Sequence, residues 1–508
     1  MEEMEEKLAA AARAFAESSV RARLGALEML DSCFEQQACD EQEVAVLNEA
    51  LATVIELSFY VAPRWRERTC VVRLRKFLVR LCNAYAQAVP LLAKGIVREA
   101  GSGPDAQAAY ALLGWSLALL PKLDGKMFGN QLWAAAQCLT VIQRAADTKG
   151  SKSAHRRWAT AGRSFSALLG QVDAAAPTYM SALLAGDAPA GDGAAAATGI
   201  VLQFLADRNV LATYKAALGE LYCRDVLSAK RRLSAGAFRC FDAFFVSLAT
   251  AELQEHIAPS IPRAVKRGPD LLGPPLARMA AVLTCDASAV ANGILMPFAL
   301  ELTKDSNAQR CADATQLVSS LALTKEPALV EQHMQALVKE LGASKLPEQR
   351  IALAEMAIAL AATPAELGDA ASSALDDLIP VMQAEKAPEI KIKLLQAVGH
   401  WLRRCSSIPE KFTGVFGKLL KNAKGESVRR NMLEAALKAM DSDELVQQGA
   451  ALMPPALDTL KACAAKKTAE AALRSREGVA AARLLVNLAS ADSDVAEKLE
   501  AAEPQCSH

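Results

Sequence analysis

Four stretches of this 508-residue chain share one pattern, and that pattern decides the fold. They are RCADATQLVSSL (310–321), RIALAEMAIALA (350–361), KIKLLQAVGHWL (391–402) and RRNMLEAALKAM (429–440). Each stretch begins with a basic residue. Apolar residues follow four, seven and eleven positions later, a spacing that places them on one face of a helix. The chain therefore repeats one amphipathic helix at nearly constant intervals.

The interval between the four stretches is about 40 residues, the period of HEAT and armadillo repeats. Most other segments are also helical in pattern, because Ala and Leu dominate and the alternation of a half-buried strand is almost absent. Val71, Leu74, Leu78 and Leu81, for example, lie on one helix face. We therefore predict an all-α fold, an α-α superhelix of the HEAT/armadillo-like solenoid class, in which stacked helix pairs bury a continuous core.

Clusters of Gly, Pro and Ser predict loops at residues 101–105, 147–153, 185–193 and 269–275. These breaks suggest three segments. We expect N-terminal helical repeats with an Arg-rich helix over residues 1–100, and helical repeats with loop insertions over residues 101–200. HEAT-like repeats of about 40 residues should fill residues 201–508.

Composition excludes several classes of protein. Lys plus Arg and Asp plus Glu both number 57, and 52% of the residues are hydrophobic, which excludes a mostly disordered chain and a globally basic nucleic-acid binder. The 12 Cys show no CxxC spacing and the 5 His form no HxxxH motif, so we expect a reducing compartment and no structural zinc. No apolar run reaches the roughly 20 residues that span a bilayer, so we expect a cytoplasmic protein without a membrane partner.

Motifs for catalysis are also absent from the sequence, which contains no GxxxxGK[ST], GxSxG or HExxH. The stretch Gly101–Ala106 fits GxGxxA, but a predicted helix precedes it where a dinucleotide site needs a strand. The acidic pair Asp376–Asp377 has no companion, and His400 lies on an apolar helix. We therefore expect a protein that is not an enzyme and that has no catalytic residue, cofactor or metal.

The basic segments are the best candidates for function. Residues 64–80 contain seven cations and one acid, and Arg66, Arg73 and Arg80 share one helix face. Such stripes bind phosphate backbones. An ordinary amphipathic helix whose solvent-exposed face is rich in Arg has the same pattern. The predicted ribosome or RNA contacts are Arg64, Arg66, Arg68, Arg73, Arg75, Lys76, Arg80, Lys230, Arg231 and Arg232. Smaller patches are Lys152 with Arg156 and Arg157, and Arg263 with Lys266 and Arg267.

Several stretches resemble, in the same order, the N-terminal part of the general control non-derepressible translational activator family. The tail EGVAAARLLVNLASADSDVAEKL (477–499) resembles it most; IELSFY (55–60), HIAPSIPRAVKR (256–267) and residues 397–429 are weaker matches. The resemblance implies a HEAT-repeat scaffold that associates with ribosomes and regulates the initiation-factor kinase in the amino-acid-starvation response. It carries over no contact residue. The family region that docks the kinase has no counterpart in this chain, so we do not expect a direct kinase contact.

One alternative is a general HEAT/armadillo scaffold of the transport or microtubule-end type, which binds proteins along its surface and does not bind ribosomes. Another is an enzyme with an unrecognised helical active site. The first predicts no ribosome association, and the second predicts turnover or a tightly bound small ligand.

Overall fold

The computed structural model describes residues 2–35, 41–61, 65, 67–187, 195–304, 307–321, 327–423, 425–440, 445, 448–466 and 475–491. Every regular element within these ranges is a helix, and none is a strand. The prediction of an all-α fold is confirmed. None of the helices described is both long and apolar enough to cross a membrane.

The chain divides into two compact units. Unit 1 comprises Met1–Val226 and Leu233–Leu248, and unit 2 comprises Leu227–Arg232 and Ala249–His508.

Unit 1 contains thirteen α-helices within its described residues. They are α1 (Glu2–Ala16), α2 (Val20–Glu35), α3 (Glu41–Val61), α4 (Arg68–Ala84), α5 (Ala88–Gly101), α6 (Ala106–Leu119), α7 (Gly125–Lys149), α8 (Lys152–Gln171), α9 (Ala175–Ala185), α10 (Ala195–Asp207), α11 (Lys215–Tyr222), α12 (Ala235–Arg239) and α13 (Asp242–Ser247). Short 3-10 helices span Leu120–Lys122 and Leu211–Tyr214. A π-helix spans Cys223–Leu227, and its last residue, Leu227, belongs to unit 2.

The helices of unit 1 form two layers. In one layer α2, α4, α6, α8 and α10 each pack against the next, and in the other α1, α3, α5 and α7 do the same. Successive helices also pack across the layers, as α6 does against α7 and α7 against α8. Each helix thus buries its apolar face against the same layer and the opposite one, the packing of stacked helical repeats.

Unit 2 contains fourteen α-helices within its described residues. They are α14 (Thr250–His256), α15 (Ile261–Arg267), α16 (Pro269–Val282), α17 (Ser288–Val290), α18 (Met296–Thr303), α19 (Ala308–Leu321), α20 (Pro327–Ala343), α21 (Pro347–Ala361), α22 (Asp369–Ala384), α23 (Pro388–Leu402), α24 (Glu410–Asn422), α25 (Glu426–Ala439), α26 (Met453–Lys466) and α27 (Arg476–Ala491). Short 3-10 helices span Ala258–Ser260 and Gly449–Leu452, and a π-helix spans Ala291–Leu295.

Unit 2 has the same two-layer arrangement. One layer runs through α16, α19, α21, α23, α25 and α27, and the other through α18, α20, α22, α24 and α26. The basic residues that begin the four repeated stretches lie in the first turns of α19, α21, α23 and α25, all in one layer. The predicted HEAT/armadillo-like stacking of helix pairs is confirmed within this unit.

Ion pairs join neighbouring repeats at three of the four repeated basic residues. Arg310 contacts Asp270 of α16, and Nη2 of Arg350 lies 2.8 Å from Oε2 of Glu385, between α22 and α23. Arg429 donates two hydrogen bonds to the carboxylate of Glu477 on α27. The repeat pattern thus specifies inter-repeat contacts as well as helix positions.

One predicted loop is wrong. Residues 269–275 form the start of α16, which begins at Pro269 and continues through Pro274 and Pro275. Proline suits the first position of a helix, because its missing N–H would have no helical partner there. Buried residues such as Leu272 and Leu276 pack α16 against α19, and this packing retains the helix through the two later prolines.

Candidate interaction surfaces

A groove of about 780 Å³ lies between α4, α6 and α8 of unit 1, and it is called the groove below. Its apolar floor comes from α6 and α8. Four cations line its α4 side. The floor contains Leu113, Leu117, Ala118, Ala161 and Leu168, and the rim consists of Arg73, Arg75, Lys76 and Arg80.

Two residues of the local sequence, Asp105 and Gly114, determine where α6 begins and where Arg75 packs against it. The Asp105 carboxylate caps α6 by accepting hydrogen bonds from the backbone N–H groups of Gln107 and Ala108, each at 2.8 Å. A Cβ atom on Gly114 would lie 3.1 Å from Cδ of Arg75. The glycine therefore leaves room for the aliphatic stem of Arg75 against α6.

The three helices around the groove carry one sign of charge. Their nine cations are Arg68, Arg73, Arg75, Lys76 and Arg80 on α4, and Lys152, Arg156, Arg157 and Arg163 on α8. These three fully described helices contain no Asp or Glu, and α6 has no charged residue at all. Clustered like charges beside a low-dielectric wall produce a strong local potential, which attracts anionic partners.

Two of the four rim cations already have a carboxylate partner. Nη2 of Arg73 lies 3.5 Å from Oδ2 of Asp31 on α2, and Arg80 contacts the same oxygen. Arg75 and Lys76 are exposed, and neither lies within 4 Å of a carboxylate of the described residues. The groove thus keeps its cationic character even with Asp31 included.

Three further residues near α4 were predicted as contacts: Arg64, Arg66 and Arg68. Arg64 and Arg66 lie outside the described residues. Arg68 is exposed at the first position of α4. The sequence alone did not group α8 with α4, because both pack against α6 only in the folded stack.

A second cationic surface lies in unit 2, where the structure brings two basic runs together. We call Lys230, Arg231, Arg263, Lys266 and Arg267 the α15 patch, and all five side chains are exposed. Nη2 of Arg267 donates a hydrogen bond to Oγ of Ser228 at 3.2 Å, which holds the loop 228–232 beside the end of α15.

Arg232 fixes the other end of this loop. Its Nη2 lies 2.8 Å from Oδ1 of Asp313, a buried carboxylate on α19. The predicted contact Arg232 therefore has a structural partner. Lys230 and Arg231 lie between Ser228 and Arg232, the two residues that hold the loop, and both side chains are exposed. The backbone that carries these two cations is thus already ordered.

The residues considered for catalysis have ordinary structural surroundings. Gly101–Ala106 connects two helices, and Asp376 pairs with Lys411 at 3.3 Å. Burial lowers the pKa of His400, as do the nearby charges of Lys438 and Arg403. No group of three or more His, Cys, Asp or Glu side chains in the described ranges could hold a metal ion. The absence of enzyme activity remains a prediction.

Comparison with known proteins locates the α15 patch within a recognisable region. Residues 215–351 match the family model described as the N-terminal region of the stalled ribosome sensor GCN1. The chain is 23% identical over 397 residues to Protein ILITYHIA of Arabidopsis thaliana, which covers 75% of this chain and 14% of that protein. It is 24% identical over 317 residues to the human stalled ribosome sensor GCN1, covering 59% of this chain and 12% of that protein. The chain thus spans a small part of both relatives.

Solved structures similar to this chain include importin beta, at 12% identity and a TM-score of 0.48, with 98% of this chain and 67% of that chain covered. The karyopherin Kap121p bound to the SUMO protease Ulp1p is 12% identical with a TM-score of 0.41, covering 96% and 57%. The resemblance predicted from the sequence is confirmed by the match of residues 215–351 to the family model. This chain is a helical-repeat protein that contains a region like the N-terminal part of the stalled ribosome sensor GCN1.

Proposed function

We propose that this chain is a non-enzymatic HEAT-repeat scaffold of the cytoplasm that associates with ribosomes through the phosphate backbone of ribosomal RNA. One observation carries the proposal. The α15 patch lies inside residues 215–351, the region that matches the GCN1 family model, and it joins two basic runs that are separate in sequence. A human relative of this chain is a stalled ribosome sensor by name.

The chemistry of the α15 patch suits phosphate. Arg and Lys side chains neutralise phosphate oxygens and release condensed counterions, so affinity falls steeply as salt rises. The loop 228–232 is fixed at Ser228 and Arg232, so little conformational entropy is lost when Lys230 and Arg231 bind. The net charge of the chain is zero, which assigns any such salt dependence to local patches.

The wider role that we propose follows from the family resemblance. The scaffold would act in the amino-acid-starvation response, where the family regulates the initiation-factor kinase. Direct kinase binding is not part of the proposal. The alternative is a general protein-binding scaffold without ribosome contact.

Cosedimentation of the full chain with purified ribosomes across a salt series tests the proposal. The test variant changes Arg231, Arg263 and Lys266 to Gln. Its matched control changes Lys94, Lys126 and Arg144 to Gln. These are three exposed cations on α5 and α7 of unit 1, in the layer that does not form the groove. We expect the patch variant to bind at least about tenfold more weakly, with a logarithmic salt slope shallower by about 3, and the control to bind like the wild type.

Two results would contradict the proposal. If the patch variant and the control weaken ribosome binding equally, the α15 patch is not the contact. If the wild type fails to sediment with ribosomes even at low salt, the general scaffold is the better interpretation.

A further inference from the structure

We infer that the groove of unit 1 binds an acidic amphipathic helix from a partner protein. This interaction goes beyond ribosome association and uses a different unit from the α15 patch. The floor, the rim and the length of the groove each favour such a helix.

The floor of the groove favours an apolar occupant. It consists of Leu and Ala side chains, of which Leu117 and Ala118 of α6 are half-buried and the others are buried. Covering such surface contributes roughly 25 cal/mol for each Å² removed from water. A phosphate backbone cannot supply this contact. The apolar face of a helix can.

The rim of the groove requires acidic flanks on that occupant. Arg75 and Lys76 are exposed on the α4 side. The residues of α8 that line the groove carry no charge, and Arg157, one turn before Ala161, lies outside the lining. Carboxylates beside the apolar stripe would meet the α4 cations, and no carboxylate on α4, α6 or α8 would repel them.

The length of the groove suits a short helix. Lining residues on α8 run from Ala161 to Gln171, about 15 Å along the helix axis. That distance matches about three turns of a docked helix, the usual scale of helix-in-groove recognition.

The competing occupant is single-stranded RNA, because the α4 cations were predicted from sequence to contact phosphate. The groove is less suited to RNA for two reasons. Tyr110 is the one aromatic residue among its lining residues, so stacking of bases would be limited. Two of the four rim cations also already contact Asp31.

Fluorescence anisotropy with the full chain tests the inference. The probe is a labelled peptide of about 14 residues, with Leu and Ala on one helix face and Glu on the rest. A scrambled peptide of the same composition has equal charge but no apolar stripe. Oligouridylate serves as the RNA probe.

Two variants separate the contributions of floor and rim. Leu117→Gln changes the floor without changing charge, and Arg75→Gln with Lys76→Gln changes the exposed rim. Val97→Gln on α5 is the matched control for the floor, because Val97 is an exposed apolar residue away from the groove. Circular dichroism checks that each variant remains folded.

We expect the amphipathic peptide to bind at least about tenfold more tightly than the scrambled one. The floor and rim variants should each weaken the amphipathic peptide about tenfold, and Val97→Gln should not. Ribosome cosedimentation should be unchanged in both groove variants, so failure here is distinct from failure of the α15 patch.

Three outcomes would overturn the inference. One is no binding of the amphipathic peptide, and another is equal binding of the two peptides, which would indicate charge attraction alone. The third is binding of oligouridylate that the rim variant abolishes and Leu117→Gln leaves intact. That result would assign the groove to RNA.

Discussion

Gly399 determines how closely α23 approaches α25. A Cβ atom there would lie 2.8 Å from the backbone Cα of Ala435, which cannot rotate away. We expect Gly399→Ala to lower the free energy of unfolding by about 1–3 kcal/mol, because the two helices must separate. Denaturant unfolding followed by circular dichroism measures this change.

Gly414 on α24 provides the matched control for Gly399. Nothing lies within 4 Å of a Cβ placed on it, so Gly414→Ala should stabilise the helix by up to about 1 kcal/mol. Equal effects of the two substitutions would show that close helix packing at Gly399 does not limit stability.

We expect His333 on α20 to make unit 2 sensitive to acid. Its side chain is buried, neither ring nitrogen has a hydrogen-bond partner in the described part of the chain, and burial lowers its pKa to about 4. The unfolded chain, with an ordinary histidine pKa, therefore takes up a proton between about pH 6.5 and pH 4 that the folded chain does not. The free energy of unfolding should fall as pH falls through this window, by up to about 3 kcal/mol.

The substitution His333→Leu tests this pH dependence. Thermal midpoints at pH 7 and pH 5 should differ less in the variant than in the wild type, since the variant has no group to protonate there. An unchanged difference between the two pH values would assign the acid sensitivity to other groups.

At the scale of elements, we expect the ion pairs between repeats to contribute to the coupling of neighbouring repeats. The Glu477 carboxylate is buried and receives two hydrogen bonds from Arg429, so Glu477→Gln leaves the Arg429 charge poorly compensated. We expect a loss of about 1–3 kcal/mol that is confined to adjacent helices, because repeats interact mainly with their neighbours. Hydrogen exchange should show faster exchange in α25 and α27 but not in α19.

The exposed pair of Lys411 and Asp376 provides a comparison for Glu477. Lys411→Gln should change exchange rates little, because exposed ion pairs contribute about 0–1 kcal/mol. Faster exchange throughout unit 2 in Glu477→Gln would contradict nearest-neighbour coupling.

Helix positions were predictable from sequence because their signals are local. The spacing from Arg350 and from Lys391 lies within one helix, and it placed α21 and α23 correctly. The pairing of Asp31 with Arg73 was not predictable, because it depends on how α2 packs against α4. The groove was not predictable either, because it forms only when α4 and α8 both pack against α6. The three-segment division of the chain remains a prediction.

At the scale of the whole molecule, equal numbers of opposite charges conceal local segregation. The formal net charge is zero, yet α4, α6 and α8 hold nine cations and no acid. Net charge therefore predicts weak attraction to polyanions, whereas the distribution predicts attraction at defined surfaces. Salt dependence measured variant by variant distinguishes the two expectations.

The contacts between repeats also determine when the protein can fold. Trp401 donates a hydrogen bond to the carbonyl of Ala357, and Lys393 to the carboxylate of Glu355, partners 44 and 38 residues apart. Such a contact can form once about 40 more residues have been made, which takes about 2 to 8 seconds at ordinary rates of synthesis. Arg232 and Asp313, 81 residues apart, must wait about twice as long. Successive repeats can therefore acquire their structure one after another while the chain is still being synthesised.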